Sequence, residues 1–97
     1  MLTGLLKNFL DAENRLTAFP AKRKMKSYAL QYLASKFQAG VVYTEGECNQ
    51  ILNEWHTFGD AATLRRELYN GRFIDRDAAG TAYRLADPQP TAEPADR

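Results

Sequence analysis

The sequence predicts an α+β domain with a winged helix-turn-helix arrangement, mainly helical and completed by a C-terminal β-hairpin. Two observations lead to this prediction: apolar residues recur at helical spacings, and the segments follow a particular order. From residue 20 onward that order is helix, short strand, helix, tight turn, helix and two short alternating runs. In a winged helix, the turn-linked helices form the helix-turn-helix and the hairpin forms the wing. A short helix and a short strand precede this unit, and we predict one domain over residues 1–86.

The N-terminal segment predicts a short helix followed by an edge strand. Thr3 can serve as the N-cap of the helix, because its hydroxyl can accept a hydrogen bond from the first turn. The apolar side of this helix would be formed by Leu5, Leu6, Phe9 and Leu10. Residues 15–19, RLTAF, alternate between polar and apolar side chains, which is typical of a short strand.

A longer helix is predicted from Pro20, which suits the first helical position because its missing N–H would have no partner there. Apolar residues three and four positions apart form one continuous face of this helix. They are Met25, Tyr28, Ala29, Tyr32, Leu33 and Phe37. Gly40 is expected to end the helix, and VVYT at residues 41–44 predicts a short strand.

The next two helices carry clear start signals. Thr44 and Glu47 form a capping box, which begins a helix with an apolar side made of Cys48, Ile51, Leu52 and Trp55. Asp60 is a good N-cap for the second helix. The inner side of that helix would be formed by Ala61, Leu64 and Leu68. Gly71 is expected to end it, because glycine tolerates a positive φ.

Two alternating runs at residues 72–76 and 81–85 flank the loop DAAG and predict the hairpin. After Ala86 the chain contains three prolines and no large apolar residue. Such a segment cannot bury enough surface to offset its ordering entropy, so residues 87–97 are predicted to be a disordered tail.

Composition fits a small globular protein. The chain has 97 residues, of which 44% are hydrophobic and 26% charged, and its formal net charge is +1. This total charge does not by itself require an anionic partner. The distribution is uneven, because the residues after Ala86 are net acidic and the preceding part is mildly basic.

The sequence also bears on location. Cys48 is the only cysteine, so no intramolecular disulfide can form and a reducing compartment is the simpler assumption. No stretch is apolar enough to span a membrane. The N-terminus is a poor signal peptide, because Lys7 and Asn8 interrupt its apolar part. We therefore expect a cytoplasmic bacterial protein with no membrane partner.

The exposed face of the second turn-linked helix is the first candidate binding surface. It presents Ala62, Thr63, Arg66, Tyr69 and Asn70, with Arg65 at its edge. Arginine can bind guanine edges or phosphates, and Asn and Thr can hydrogen-bond to bases. The alternative is that Arg65 and Arg66 are solvated surface residues, with Arg66 paired to a local carboxylate.

Four basic residues at the start of the long helix form the second candidate surface. They are Lys22, Arg23, Lys24 and Lys26. The helix macrodipole disfavours cations in this position by about 0.3–1 kcal/mol each, so the cluster suggests a nearby phosphate backbone or another anion. The alternative is a group of freely solvated residues that aid solubility. In the hairpin, alternation along the strands does not place Arg72, Arg76 and Arg84 all on one face, so not all three can face the same partner. Arg76 is our candidate for nucleic-acid contact.

Signals of catalysis and of metal binding are weak. His56 and Cys48 make no metal site without further ligands, and no nucleophile elbow, Gly-rich phosphate loop or paired-carboxylate pattern is present. We expect His56 to satisfy a backbone group in the turn, and Cys48 to be a small core residue. The sequence therefore predicts no enzyme activity and no cofactor.

Three segments resemble a bacterial domain-of-unknown-function family: FPAKRKMKSYALQYLASKF, YTEGECNQILNEWH and DAATLRREL. Members of that family occur alone or fused behind helix-turn-helix domains of transcriptional regulators. The resemblance covers about residues 5–85 and implies an association with transcription. The family's signature positions are occupied by Pro20, Lys22, Arg23, Lys24, His56, Asp60, Thr63, Leu64, Arg65, Arg66 and Glu67. This chain departs from the pattern at Gly71, one place early, and at Tyr83, where an aromatic pair is typical.

Three functional hypotheses follow. The first is a transcription-associated nucleic-acid-binding module, with double-stranded DNA as the leading partner, helix 60–70 as recognition helix and residues 22–26 on phosphate. The second is a protein-interaction module that forms a homodimer or binds a regulator protein without touching DNA. The third is a ligand-sensing or catalytic domain around His56, Asp60 and the two arginines, Arg65 and Arg66. Burial of Arg65 or Arg66 in an ion pair would remove the centre of the first hypothesis.

Overall fold

Four α-helices and a three-stranded sheet make up the chain, in a computed structural model that describes residues 2–90. The elements are α1 (Leu2–Leu5), a 3-10 helix (Lys7–Phe9), α2 (Arg23–Ala34), β1 (Tyr43–Thr44), α3 (Glu45–Glu54), α4 (Ala61–Asn70), β2 (Ile74–Arg76) and β3 (Ala82–Leu85). None of the helices within residues 2–90 is long and apolar enough to cross a membrane.

The sheet is antiparallel, and its strand order is β1-β3-β2. β2 and β3 form the predicted hairpin, in which Arg76 lies opposite Tyr83. β1 joins the hairpin along β3, where Tyr43 also lies opposite Tyr83. The fold class is therefore α+β, as predicted, and its element order and strand order are compatible with a winged helix.

The core lies where α2, α3 and α4 meet the sheet. Its largest fully buried side chains are Leu6, Leu16, Leu33, Leu52, Leu64, Leu68, Ile74 and Cys48. The predicted inner sides of the helices are confirmed, since Leu64 and Leu68 of α4 and Leu52 of α3 have no exposed surface. Burying one such leucine contributes about 1.5–3 kcal/mol, so this cluster determines how the two turn-linked helices pack.

The start signals of α3 and α4 are confirmed. Thr44 Oγ1 accepts the N–H of Glu47 at 3.0 Å, and the Glu47 carboxylate accepts the N–H of Thr44 at 2.9 Å, which completes the capping box. Asp60 caps α4 through its Oδ1, which accepts the N–H of Thr63 at 3.3 Å.

The N-terminal predictions are partly wrong. Thr3 lies inside α1 rather than capping it, and the helix gives way to a 3-10 turn after Leu5, which is 50% exposed. Residues 15–19 form no strand, because Leu16 finds only isolated backbone pairings with Leu10 and with His56. A turn offers too few aligned backbone groups to extend those pairings into a ladder.

The limits of α2 also differ from the prediction. Pro20 precedes the helix, which begins at Arg23 with Lys22 as N-cap. Pro20 is buried and follows the segment that is tied to the turn, so tertiary contacts hold this part of the chain outside the helix. The helix ends at Ala34 instead of near Gly40, and only Tyr43–Thr44 of the predicted strand 41–44 pairs with the sheet.

The end of α4 corrects the expectation for Gly71. Its φ is −83°, and the positive φ of 67° falls on Arg72 instead. A Cβ on Gly71 would lie 3.0 Å from the Phe73 ring and 3.2 Å from the Glu67 carbonyl oxygen. Glycine is therefore required here for close packing and not for a left-handed backbone.

The predicted tail lies mostly outside the described residues, which end at Pro90. Its described part contacts the domain through Gln89. The side-chain amide of Gln89 donates to the carbonyl oxygens of Phe73 and Ala86, each at 2.8 Å.

Candidate nucleic-acid interface

The turn between α3 and α4 is organised by His56, which is only 4% exposed. Its Nδ1 lies 2.6 Å from the carbonyl oxygen of Leu52, and its Nε2 accepts the N–H of Asp60 at 2.8 Å. Because Nε2 accepts, we assign the ring proton to Nδ1, which then donates to Leu52. The prediction that His56 satisfies a backbone group is confirmed. The ring links the end of α3 to the N-cap of α4.

A second connection holds this turn from outside the helix pair. The N–H of Leu16 donates to the carbonyl oxygen of Trp55 at 2.8 Å, and the N–H of Thr57 donates to the carbonyl oxygen of Leu16 at 2.9 Å. Leu16 has no exposed surface. The segment expected to be an edge strand therefore serves as a brace for the turn between α3 and α4.

The exposed side of α4 is the predicted one. Ala62, Arg66, Tyr69 and Asn70 are exposed, and Thr63 and Arg65 are half-buried. Arg66 has neither an ion pair nor a side-chain hydrogen bond within residues 2–90, so the alternative of pairing with a local carboxylate does not apply to that part of the chain. Arg66 is the most outward guanidinium of the helix, directly opposite the buried Leu64 and Leu68.

Arg65 belongs to the fold. Its side chain is 17% exposed, and its Nη2 lies 3.3 Å from Oε2 of Glu45 at the start of α3. The guanidinium also donates to the Asn49 side chain and lies 5.7 Å from the centroid of the Tyr83 ring. Burial of this arginine in an ion pair was expected to remove the centre of the nucleic-acid hypothesis, and it removes Arg65 as a free contact. Its cross-link instead fixes α4 against α3 and the sheet.

A groove of about 420 Å³ runs between α4 and the hairpin. It is lined by Ala62, Arg65, Arg66, Tyr69, Asn70, Arg76 and Tyr83. Three of these residues are arginines, and none of them is acidic. Because Arg65 is paired with Glu45, the attraction of this surface for anions comes from Arg66 and Arg76.

Arg76 reaches the groove from β2. Its guanidinium carbon lies 4.4 Å from the centroid of the Tyr69 ring, so the exposed tyrosine of α4 supports the arginine of the hairpin. Arg84 lies opposite Asp75 in the register, and side chains of adjacent residues on a strand point to opposite faces. Arg84 therefore lies on the other face of the hairpin from the Arg76 side chain, although both residues line a smaller depression with Asp75 and Asp77.

The basic cluster lies on the other side of α4. Arg23 and Lys26 line a second cleft of about 350 Å³ together with Glu67, Asn70 and apolar residues that include Leu30 and Phe73. Because Asn70 also lines the groove, the two depressions meet at the C-terminal end of α4. Lys22 and Lys24 are exposed beside this cleft, and Lys26 is held with its Nζ 5.5 Å from the centroid of the Phe19 ring.

Two features of this surface were not predicted from the sequence. Tyr69 was expected only as a contact residue, and its pairing with Arg76 depends on the packing of α4 against β2. Tyr83 was given no place in the site, although it lines the groove opposite Arg76. The register of the hairpin could have found Tyr83, since cross-strand partners share one face of a sheet.

The remaining reactive groups lie apart from this surface. Cys48 is fully buried, as predicted, and burial raises the pKa of its thiol to about 11. Within residues 2–90, no group of three or more His, Cys, Asp or Glu side chains is placed to hold a metal ion.

Residues 15–85 match the profile of a bacterial family whose description is "uncharacterized protein conserved in bacteria", DUF2087. No curated protein and no solved structure matches the chain. The matched segment begins one residue before Leu16 and ends with the last residue of β3, so it includes α2, α3, α4, the sheet and every residue that lines the groove. The chain belongs to the DUF2087 family of bacterial proteins.

Proposed function

We propose that this protein is a nucleic-acid-binding module associated with transcription, and that its partner is double-stranded DNA. In this proposal α4 enters the major groove, the hairpin contacts the adjacent backbone as a wing, and Lys22–Lys26 hold phosphates on the other side. The proposal is of a cytoplasmic binding protein, acting alone or fused to a regulator, and not of an enzyme.

The observation that carries the proposal is the presence of cationic side chains in the depressions on either side of α4. The groove is lined by Arg66, Arg76 and the ion-paired Arg65, and it shares Asn70 with the cleft of Arg23, Lys26 and Glu67. A helix flanked by cations on both sides suits a duplex groove, whose two borders are rows of phosphates. Arg66 supports the proposal further, because it has no polar partner within residues 2–90.

The cross-link of Arg65 changes the proposed role of the arginine pair. Arg66 and Arg76 supply guanidinium groups that have no carboxylate partner within residues 2–90, and Arg76 lies against the Tyr69 ring. Arg65 keeps α4 in position through Glu45 and Asn49. The proposal therefore does not require both neighbouring arginines to touch the target.

Fluorescence anisotropy with a labelled duplex of mixed sequence tests the proposal at low salt. We expect Arg76→Ala to weaken binding about tenfold or more, because a hydrogen bond to a charged group contributes roughly 1.5–3 kcal/mol. Arg84→Ala is the matched control, since it removes an arginine from the opposite face of the same hairpin. Equal affinities for the two variants, or no duplex binding by the unmodified chain, would contradict the proposal.

A second candidate function is protein interaction without DNA contact. Val42 is 58% exposed directly before the edge strand β1, and it lines a depression of mixed apolar and polar residues that includes Val41, Ile51, Glu47 and Glu54. An edge strand with exposed apolar residues beside it can pair with another chain. Light scattering at high concentration tests the homodimer version, and a mass equal to one chain would remove it.

A further inference from the structure

The outermost ridge of α4 carries two polar side chains, Arg66 and Asn70, which are both exposed. Neither side chain has a hydrogen-bond or ion-pair partner among residues 2–90. They lie four residues apart on the same helix, so they are neighbours on one side of it. Both also line the groove beside the hairpin. The ridge therefore presents a guanidinium and an amide together, with no local group to satisfy either.

The cations beside this ridge flank it on both sides. Arg76 lies on the hairpin side, and Arg23 and Lys26 line the cleft on the α2 side. Flanking cations of this kind suit phosphates, which position a protein on a duplex without reading its sequence. The ridge between them would face the floor of the groove, where base edges are exposed.

The guanidinium and amide groups of the ridge each match the major-groove edge of one particular base. Arginine makes paired hydrogen bonds to O6 and N7 of guanine, and asparagine makes them to N6 and N7 of adenine. Four residues of helix rise by about 6 Å. Successive bases are separated by about 3.4 Å along one strand. The two side chains therefore span one or two base-pair steps, depending on the tilt of α4 in the groove.

We infer that Arg66 and Asn70 determine sequence specificity, and that the preferred duplex places a guanine and an adenine one or two steps apart in the major groove. This inference rests on the proposed function, because it assumes that α4 enters duplex DNA. It assigns guanine to Arg66 and adenine to Asn70. The phosphate contacts are assigned to the flanking cations.

Selection of bound duplexes from a random-sequence library, performed with the full chain, tests the inference. We expect the enriched sites to share a guanine and an adenine at this spacing. For Arg66→Ala the preference at the guanine position, roughly 5- to 150-fold for a paired contact, should fall towards one. For Asn70→Ala the same loss is expected at the adenine position only. Arg84→Ala is the control and should select the same sites as the unmodified chain.

The outcomes separate this inference from the proposed function. Binding of duplexes with no common guanine and adenine overturns the inference and leaves the proposed function standing. A guanine preference that survives in Arg66→Ala also overturns the inference and leaves the proposed function standing. Failure of the unmodified chain to bind any duplex at low salt overturns both. Circular dichroism of each variant shows whether its helix content is unchanged. Arg66→Lys keeps the charge without the guanidinium fork, so it should retain affinity and only part of the guanine preference.

Discussion

His56 shows how a single side chain can hold a functional turn without taking part in binding. The ring is buried, and each nitrogen faces a backbone group of a different helix end, Leu52 on one side and Asp60 on the other. Its position between two candidate contact helices had also allowed a ligand-binding interpretation. In the structure the polar atoms of the ring are already used, which makes His56 a residue of the fold.

Replacing His56 therefore destabilises the protein. We expect His56→Ala to lower the free energy of unfolding by about 2–4 kcal/mol, because it leaves two backbone groups without partners and removes a buried ring. Urea unfolding measures this loss. The side-chain amide of His56→Asn can still donate to the Leu52 carbonyl oxygen. The free energy of unfolding of this variant should therefore lie between those of the unmodified chain and of His56→Ala. A change below about 0.5 kcal/mol for the alanine variant would show that the turn does not depend on the ring.

Cys48 links stability to alkaline pH. Burial raises the pKa of its thiol from 9.0 to about 11, and the nearby charge of Arg65 opposes this shift only in part. Below pH 9 the thiol is neutral in both states and the stability is fully present. Between pH 9 and 11 the thiol ionises in the unfolded chain first, so the folded state loses stability, by up to roughly 2–3 kcal/mol.

The comparison with Cys48→Ala isolates this effect from the lysines and tyrosines that titrate in the same range. Urea unfolding between pH 7.5 and 11 should give a steeper loss of stability for the unmodified chain than for the variant. Parallel curves would indicate that the thiol is not the group responsible.

At the scale of elements, two neighbouring residues at the end of α4 distinguish the effect of backbone strain from the effect of close packing. Gly71 has an ordinary φ of −83°, yet a Cβ there would lie 3.0 Å from the Phe73 ring, whereas Arg72 carries the positive φ of 67°. We expect Gly71→Ala to destabilise the protein by about 1–3 kcal/mol through overpacking. Arg72→Gly should be neutral or stabilise it by up to about 1 kcal/mol, since it relieves a left-handed residue. Thermal unfolding measures the stability of both variants. A Gly71→Ala variant more stable than Arg72→Gly would contradict this account.

The sequence predicted those elements whose signals are local. The capping box at Thr44, the cap at Asp60 and the inner side of α4 are confirmed because each depends on residues within one or two helical turns. The beginning of α2 and the segment 15–19 were wrong because they depend on a distant turn. Leu16 pairs with residues 55–57, some forty positions away, and no periodicity within the segment carries that information.

At the scale of the whole molecule, the candidate site was predictable as a set of residues but not as an arrangement. The helical wheel placed Arg66 outward and Arg65 at the margin, and the structure agrees. It could not supply the partner of Arg65, because Glu45 lies on another helix. Nor could it show that the cleft of Arg23 meets the groove at Asn70, which requires the packing of α2 against α4.

This arrangement predicts how binding responds to salt, because the net charge of the chain is only +1 and the cations are local. Each phosphate contact contributes about −0.9 to the slope of log K against log salt concentration. We expect the double variant Arg23→Ala and Lys26→Ala to make the slope shallower by about 2. Arg66→Ala, which is assigned to a base, should lower affinity for a selected site and leave the slope nearly unchanged. Anisotropy titrations from low to moderate salt measure both slopes, and an unaltered slope in the double variant would remove the cleft from the interface.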